Sequence, residues 1–270
     1  MTITTITDCK DSNAFGRQST RLHSLFNINP IEVGINNDIE AAGNLIDILD
    51  SLKENKGIII VNVAPRQGKS KKWNNGTPFC YFYIKNKLII SSIQGFTLSL
   101  IKELKLTNEI CLLDIVETAS ELMKKNIITG IQASHIKNTQ FRSFDYLPFV
   151  AKYLSEYKEL INIKVDISEI NNLPDAVWWI DNFGNCKTTI RENKIRDQSW
   201  ISTKFGKLKV YKNLKDVPDA ESAAIVGSSG LYGEKFVELV VQGKSFAKEY
   251  GVFTGDALSS NEEIELTKVN

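Results

Sequence analysis

From about residue 31 the apolar positions change period repeatedly, and each change marks an element. Residues 31–35 form a short apolar strand, and from Ile39 the spacing turns helical, with Ala42, Leu45, Ile46, Leu49 and Leu52 on one face. Asp38 is the expected N-cap of that helix. Gly57-Ile58-Ile59-Ile60-Val61-Asn62-Val63 is a nearly continuous apolar run, the pattern of a strand covered on both faces of a parallel sheet. Residues 77–84 and 87–92 read as a hairpin turning at Lys85-Asn86-Lys87. Residues 96–104 read as a helix, 109–115 as a strand and 118–125 as a short amphipathic helix, and Pro148 opens a further helix that reaches about Leu160. Strand and helix alternate, which predicts an α/β domain over residues 29–160 with a central, mostly parallel sheet flanked by helices. Residues 1–28, rich in Thr, Ser, Asn and Asp and without clear periodicity, read as a flexible N-terminal arm.

Beyond a connector at residues 161–175 the texture becomes one of short strands and turns. Strands at 177–180, 187–191, 207–211, 223–226 and 236–241 predict a small all-β barrel domain over residues 176–270.

Composition narrows the function classes. The chain has 270 residues, of which 42% are hydrophobic and 24% charged, so sizeable cores are expected. Its 33 Lys and Arg against 32 Asp and Glu leave a net charge of +1, which provides no global field for nucleic acid or an anionic membrane. The basic run Lys69, Lys71, Lys72 beside Trp73 reads as a solvated face, so neither nucleic acid nor membrane is an expected partner. Cys9, Cys80, Cys111 and Cys186 show no CxxC spacing and accompany only two histidines, which argues against a disulfide framework and against a metal site. With no leader-like N-terminus and no apolar run of about 20 residues, a soluble cytoplasmic protein without a cofactor is expected.

Candidate chemistry concentrates in a few turns. Residues 177–190 read as a hairpin whose tip carries the Asp181 carboxylate, the Phe183 ring and the Asn185 amide, a set able to receive an amino group, stack a flat ring and hydrogen-bond a heterocycle. The simpler reading of the same residues is an ordinary turn. Asp38 and Asn37 follow a strand at what would be the ligand-binding edge of a parallel sheet, where a carboxylate suits a ribose diol. Gly68-Lys69-Ser70 is not a phosphate loop, because Val63 stands where a Gly is needed and Pro65 removes a backbone donor. His135, in a polar stretch, reads as a surface residue.

Ile180-Asp181-Asn182-Phe183-Gly184-Asn185 with Thr188 and Thr189 resembles the IDxFGN…T signature of the S-adenosylmethionine (SAM) hydroxide adenosyltransferase family, which includes the fluorinases and chlorinases. Residues 139–151 resemble its TFHGRDxFAPVAA segment, and Ser228-Ser229-Gly230 with the residues up to Asp256 resembles its C-terminal GSsGyLEIAvn…sA…Gd pattern. The loop after residue 63 stands in place of the family's DPGVGTxRR, and residues 92–95 in place of its PDNG.

The resemblance implies a SAM substrate whose methionine is displaced from C5′ by water to release adenosine. It implies that Asp38 holds the ribose, Asp181 the amino group, Phe183 and Asn185 the adenine, and Ser228 and Ser229 the methionine carboxylate. It also implies a homotrimer with sites between the N-terminal domain of one subunit and the barrel of the next. At the reacting centre the family's Asp, Arg and His are replaced by Ala64, Lys71 and Arg142. Lys71 and Arg142 are then the catalytic candidates, two cations flanking the nucleophile, with Asp38 or Asp145 available as a carboxylate. The alternative is a catalytically inactive nucleoside- or SAM-binding homologue acting as sensor or scaffold.

Overall fold

The structure is a computed structural model and describes residues 1–64, 78–160 and 163–259. The chain divides into two compact units, one built from Met1–Ile48 and Leu52–Asn172 and the other from Leu49–Ser51 and the residues from Leu173 onward. No helix among the described residues is long and apolar enough to cross a membrane.

The first unit is organised on a seven-stranded sheet. Its strands are β1 (Thr2–Thr7), β2 (Ile31–Gly34), β3 (Gly57–Asn62), β4 (Phe79–Ile84), β5 (Lys87–Ser92), β6 (Glu109–Leu113) and β7 (Ile163–Asp166), in the order β2-β1-β3-β5-β4-β6-β7. The pairs β1 with β2, β1 with β3 and β3 with β5 are parallel, and the remaining pairs are antiparallel. Consequently β1, β2, β3, β5 and β6 point one way while β4 and β7 run against them. Every residue of β3 is buried, as its continuous apolar pattern requires.

The N-terminus corrects the sequence reading. Residues 1–28 are not an arm: β1 lies inside the sheet between β2 and β3, and α1 (Ser12–Phe26) follows it. Ile3 and Ile6 are fully buried, and so, within 2%, are Thr4, Thr5 and Thr7. Threonine is β-branched and packs on a pleated surface much as valine does, so a Thr-rich segment with the right alternation is a strand. Asp11 caps α1 by accepting from Asn13 N and Ala14 N.

A second correction concerns α2 (Asp38–Leu52). Its capping side chain is Asn37, whose Oδ1 accepts from Glu40 N at 2.8 Å, so Asp38 lies inside the helix with its carboxylate released for another partner. The remaining helices are α3 (Ser99–Glu103), α4 (Ile115–Lys124), α5 (Gly130–Asn138), α6 (Arg142–Asp145) and α7 (Leu147–Tyr157). Helix α3 begins later than its apolar spacing suggests, because Gly95 at φ +55° and the Thr97 hydroxyl bonded to Gln94 O hold the preceding residues in a turn. Helix α5 has little amphipathic pattern and is set instead by the Thr129–Gln132 capping box. Ile58, Ile60, Leu88 and Ile90 of the sheet share one core with Leu122, Tyr146, Val150 and Leu154 of the helical layer.

The second unit is a six-stranded sheet of β8 (Val177–Ile180), β9 (Cys186–Arg191), β10 (Trp200–Thr203), β11 (Gly206–Tyr211), β12 (Ser222–Leu231) and β13 (Glu234–Val241), followed by α8 (Phe246–Tyr250). Its order is β10-β11-β12-β13-β9-β8. The outer strands β8 and β10 are not paired with each other among the described residues, so the sheet is curled but open rather than a barrel of strands paired all round. One segment reaches both rims: Ala176 bridges Ala257, and Lys204 N donates to Leu258 O at 2.7 Å. Inside the curl Val177, Cys186, Ala224, Val237, Leu239 and Phe246 form a core of their own.

Candidate functional site

In the first unit, β1, β2, β3 and β5 end side by side, and their C-terminal edge is where open α/β sheets hold ligands. The register places Thr7 opposite both Gly34 and Asn62. Polar side chains stitch the exits of β1, β3 and β5 together. Asn62 Nδ2 donates to Thr7 Oγ1 at 3.3 Å, Val63 N donates to Ser92 Oγ at 3.1 Å, and Ala64 N donates to Asp8 Oδ2 at 3.1 Å.

Asp38 reaches across this edge. Its Oδ2 accepts from Phe96 N at 2.9 Å, and a Cβ on Gly95 would lie 1.7 Å from the same oxygen. Any side chain there would push the Asp38 carboxylate from its place, so glycine suits the position. Behind it Glu40, fully buried, accepts from Asn36 N at 2.7 Å and Asn36 Nδ2 at 2.8 Å, which fixes the loop that leads into α2.

Asp8 is the carboxylate that the sequence reading missed. It stands directly after β1, beside Ala64, and borders a cleft of about 390 Å³ also lined by Cys9, Arg17, Gln18 and Phe144. The signal was present as a β-branched run ending in Thr7-Asp8 just ahead of a helix, the same strand–Asp–helix arrangement assigned to Asp38. Reading residues 1–28 as an arm hid it.

Arg142 begins α6 and is 6% exposed. Among the described residues its guanidinium has neither an ion pair nor a hydrogen bond, and burial pushes its pKa down. Asp145 does not serve it: Asp145 Oδ2 accepts from Thr139 Oγ1 at 2.7 Å and lies 3.0 Å from His135 Nε2. His135 itself is 64% exposed. Lys71, together with Gly68, Lys69, Ser70, Lys72 and Trp73, lies outside the described residues.

In the second unit the turn between β8 and β9 is organised by Asp181. Its Oδ1 accepts from Phe183 N at 2.8 Å and Asn185 N at 2.9 Å, and its Oδ2 accepts from Asn185 Nδ2 at 3.0 Å. Gly184 N returns to Asp181 O at 3.0 Å. This network makes the turn rigid. A carboxylate has about four acceptor positions, so Oδ2 keeps one for an external donor while Oδ1 is filled. Phe183 projects from the tip, 74% exposed, with its ring face open. Gly184, at φ +85°, packs so closely on Ser245 that a Cβ would meet Ser245 Oγ at 1.9 Å.

Ser228 and Ser229 occupy a bulge. The pairing of β12 with β13 jumps from Val226↔Val237 to Gly230↔Lys235, which expels Gly227, Ser228 and Ser229 from the ladder. Lys187 Nζ donates to Ser229 Oγ at 2.7 Å, Lys235 Nζ donates to Ser228 O at 2.8 Å, and the Ser228 side chain is exposed. Lys187 also lies 5.3 Å from the ring of Trp178, a buried residue whose Nε1 has no hydrogen-bond partner among the described residues. Two lysines and two hydroxyls at one bulge suit a carboxylate. Nearby, the Cys186 thiol is pushed up to about 12 by burial and by the Asp181 and Asp256 carboxylates, so it is no nucleophile.

An α/β sheet with a polar C-terminal edge, followed by a curled β sheet that carries a rigid exposed turn, defines a two-domain architecture shared by solved proteins. An uncharacterized conserved protein from Thermotoga maritima superposes with a TM-score of 0.65 at 19% identity, over 94% of this chain and 97% of that one. A conserved hypothetical protein from Thermus thermophilus does so with a TM-score of 0.59 at 13% identity, over 93% and 96%. At these identities the likeness establishes the fold. Residues 175–259 match the SAM hydroxide adenosyltransferase C-terminal domain. The second unit therefore carries a domain of that family, the one the sequence signature there resembles. None of the curated proteins matches the chain.

Proposed function

We propose that this protein binds SAM and hydrolyses it to adenosine and methionine by displacement at C5′. The observation that carries the reading is the family domain at residues 175–259, with Asp181, Phe183 and Asn185 assembled in one rigid turn and Ser228 and Ser229 at the neighbouring bulge. In this reading Phe183 stacks the adenine and Asn185 hydrogen-bonds its edge. The remaining acceptor position of Asp181 Oδ2 takes the amino group, and Ser228, Ser229 and Lys187 take the methionine carboxylate. Asp38 is the ribose candidate, joined now by Asp8, which stands against Ala64 where the family carries a carboxylate.

Methionine departs from a sulfonium and needs no acid, so the work of the α/β unit is to position and partly desolvate water. Arg142 and Lys71 are the cations assigned to that water. We further propose a homotrimeric assembly.

The second reading, a binding protein without turnover, is favoured by one observation: Arg142 replaces a histidine, and the nearby Asp145 is already held by Thr139 and His135. Calorimetric titration with SAM, adenosine and methionine, with chromatography of the same mixture after long incubation, separates the two. Release of adenosine establishes hydrolysis, binding without release establishes the second reading, and absence of binding overturns both.

A further inference from the structure

Helix α1 carries two cations that no carboxylate answers. Arg17 and Arg21 lie one turn apart, and each guanidinium sits over the ring of Phe144, 4.2 Å and 4.3 Å from its centroid. Arg21, half-buried, also lies 5.0 Å from the ring centroid of Phe149. Among the described residues neither guanidinium has a hydrogen bond or an ion pair. Asp11, the acid at the start of the helix, already accepts from Asn13 N and Ala14 N at 3.0 Å.

Two like charges four residues apart repel, so the arrangement calls for a counter-charge. Stacking occupies the faces of the guanidinium planes and leaves their N–H edges available, which orients two forks of donors before any ligand arrives. The two arginines line a groove of about 450 Å³ with Asn13, Gly16, Thr20 and Ser24, and no acidic side chain borders it. Gly16 keeps the groove open, because a Cβ there would meet nothing within 4 Å. The Thr20 and Ser24 hydroxyls donate to Gly16 O at 2.7 Å and Arg21 O at 2.8 Å, so their oxygens remain as acceptors. Arg17 and Phe144 also border the cleft beside Asp8, whereas Thr20, Arg21 and Ser24 do not.

Oriented arginine forks match the oxygens of a phosphate dianion. The groove has the volume of a small-molecule site, more than a bare phosphate fills, and its acceptors suit a hydroxylated remainder. We propose that Arg17 and Arg21 form a site for the phosphate group of a small molecule. SAM carries no phosphate, so the site goes beyond the SAM reading and does not depend on it.

The test is calorimetric titration of the full-length protein with glycerol 3-phosphate and with inorganic phosphate, at constant ionic strength held with sodium chloride. Saturable binding is expected. Tighter binding of the ester supports a phosphorylated metabolite as the source, equal binding supports free phosphate, and both uphold the site. Arg17→Gln should weaken binding by roughly tenfold or more, and Arg21→Gln likewise. Gly16→Leu removes no charge and favours the helix, yet places a side chain in the groove and should abolish binding of the ester. Absence of saturable binding to the wild-type protein overturns the proposal. Unchanged affinity in Arg17→Gln and Gly16→Leu overturns it as well, even if Arg21→Gln fails to fold. Retention of a single-stranded oligonucleotide without any response to glycerol 3-phosphate also overturns it, and makes this face of α1 a contact for nucleic acid. Adenosine release from SAM is read separately, so loss of either conclusion leaves the other standing.

Discussion

The turn at Asp181–Asn185 and the sheet edge around Asp8 and Asp38 solve the same problem, holding polar groups in fixed positions, in opposite ways. In the turn every bond of the Asp181 side chain spans four residues or fewer: it holds Phe183 N, Asn185 N and the Asn185 amide. At the sheet edge the contacts join distant parts of the chain, with Asp8 holding Ala64 N and Asp38 holding Phe96 N. A local network can be read as a motif. A topological one becomes visible only when the strands are laid side by side.

The sharpest way to break this comparison is at the two glycines that close the networks. Gly184→Val puts a side chain onto Ser245 Oγ at a positive φ, and Gly95→Val puts one onto the Asp38 carboxylate, also at a positive φ. Each should cost about 3 kcal/mol or more in denaturant unfolding of the full chain. Their consequences differ. Gly184→Val should damage the Asp181 turn, whereas Gly95→Val should pull Asp38 from Phe96 N and leave the turn intact. Equal loss of adenosine binding in both variants, at a temperature where both are folded, would show that the two networks are not separate.

The sequence made the turn between β8 and β9 legible because Asp, Phe, Gly and Asn fall within five positions that together specify a tight turn. The buried run of β3 and the face of α2 were legible for a similar reason, a period carried by large apolar residues. What escaped was carried by residues of mixed character. Thr4, Thr5 and Thr7 look polar and behave as β-branched core, so β1, the arm correction and Asp8 were lost together. Trp200–Thr203 and Ile163–Asp166 are short, half-exposed strands whose pairing partners lie far along the chain or across a turn, and no local period announces them. The open curl of the second sheet rests on Leu258 and Ala257 meeting its two rims, a relation no window of sequence contains.

A smaller effect separates the role of Asp181 from that of an ordinary turn residue. Asp181→Asn can keep Oδ1 accepting from Phe183 N and Asn185 N, but its new amide faces the Asn185 amide, donor against donor. Loss of about 1–2 kcal/mol in unfolding free energy is expected, with Asn185→Ala losing less because it removes one bond and leaves the carboxylate solvated. The result that sinks the assignment is an Asp181→Asn protein as stable as the wild type. At the sheet edge the matching experiment is Asn37→Ala against Asp38→Ala. Asn37→Ala removes the cap of α2 and Asp38→Ala the bond to Phe96 N, so each should lower stability by about 1 kcal/mol in denaturant titration, and an Asn37→Ala protein as stable as the wild type would return the cap to Asp38.

The smallest expected effect is alkaline and tests whether both cores are equally dry. Burial pushes the Cys186 thiol in the second unit from 9.0 to about 12. Burial, aided by Tyr81, pushes the half-buried Tyr83 phenol in the first from 10.0 to about 12. Both groups are neutral when protonated, and their folded values lie above the unfolded ones. Between about pH 9 and 12 the unfolded chain therefore releases protons that the folded chain retains, so stability is fully present below pH 9 and is lost as pH rises toward 12. Melting temperatures should fall across that window. Cys186→Ala removes one contribution and Tyr83→Phe another, so each variant should show a shallower decline than the wild type. If Cys186→Ala leaves the slope unchanged while Tyr83→Phe flattens it, the second core admits water around Cys186, and the tight seat given to the Asp181 turn against Gly184 and Ser245 must be looser than its geometry shows.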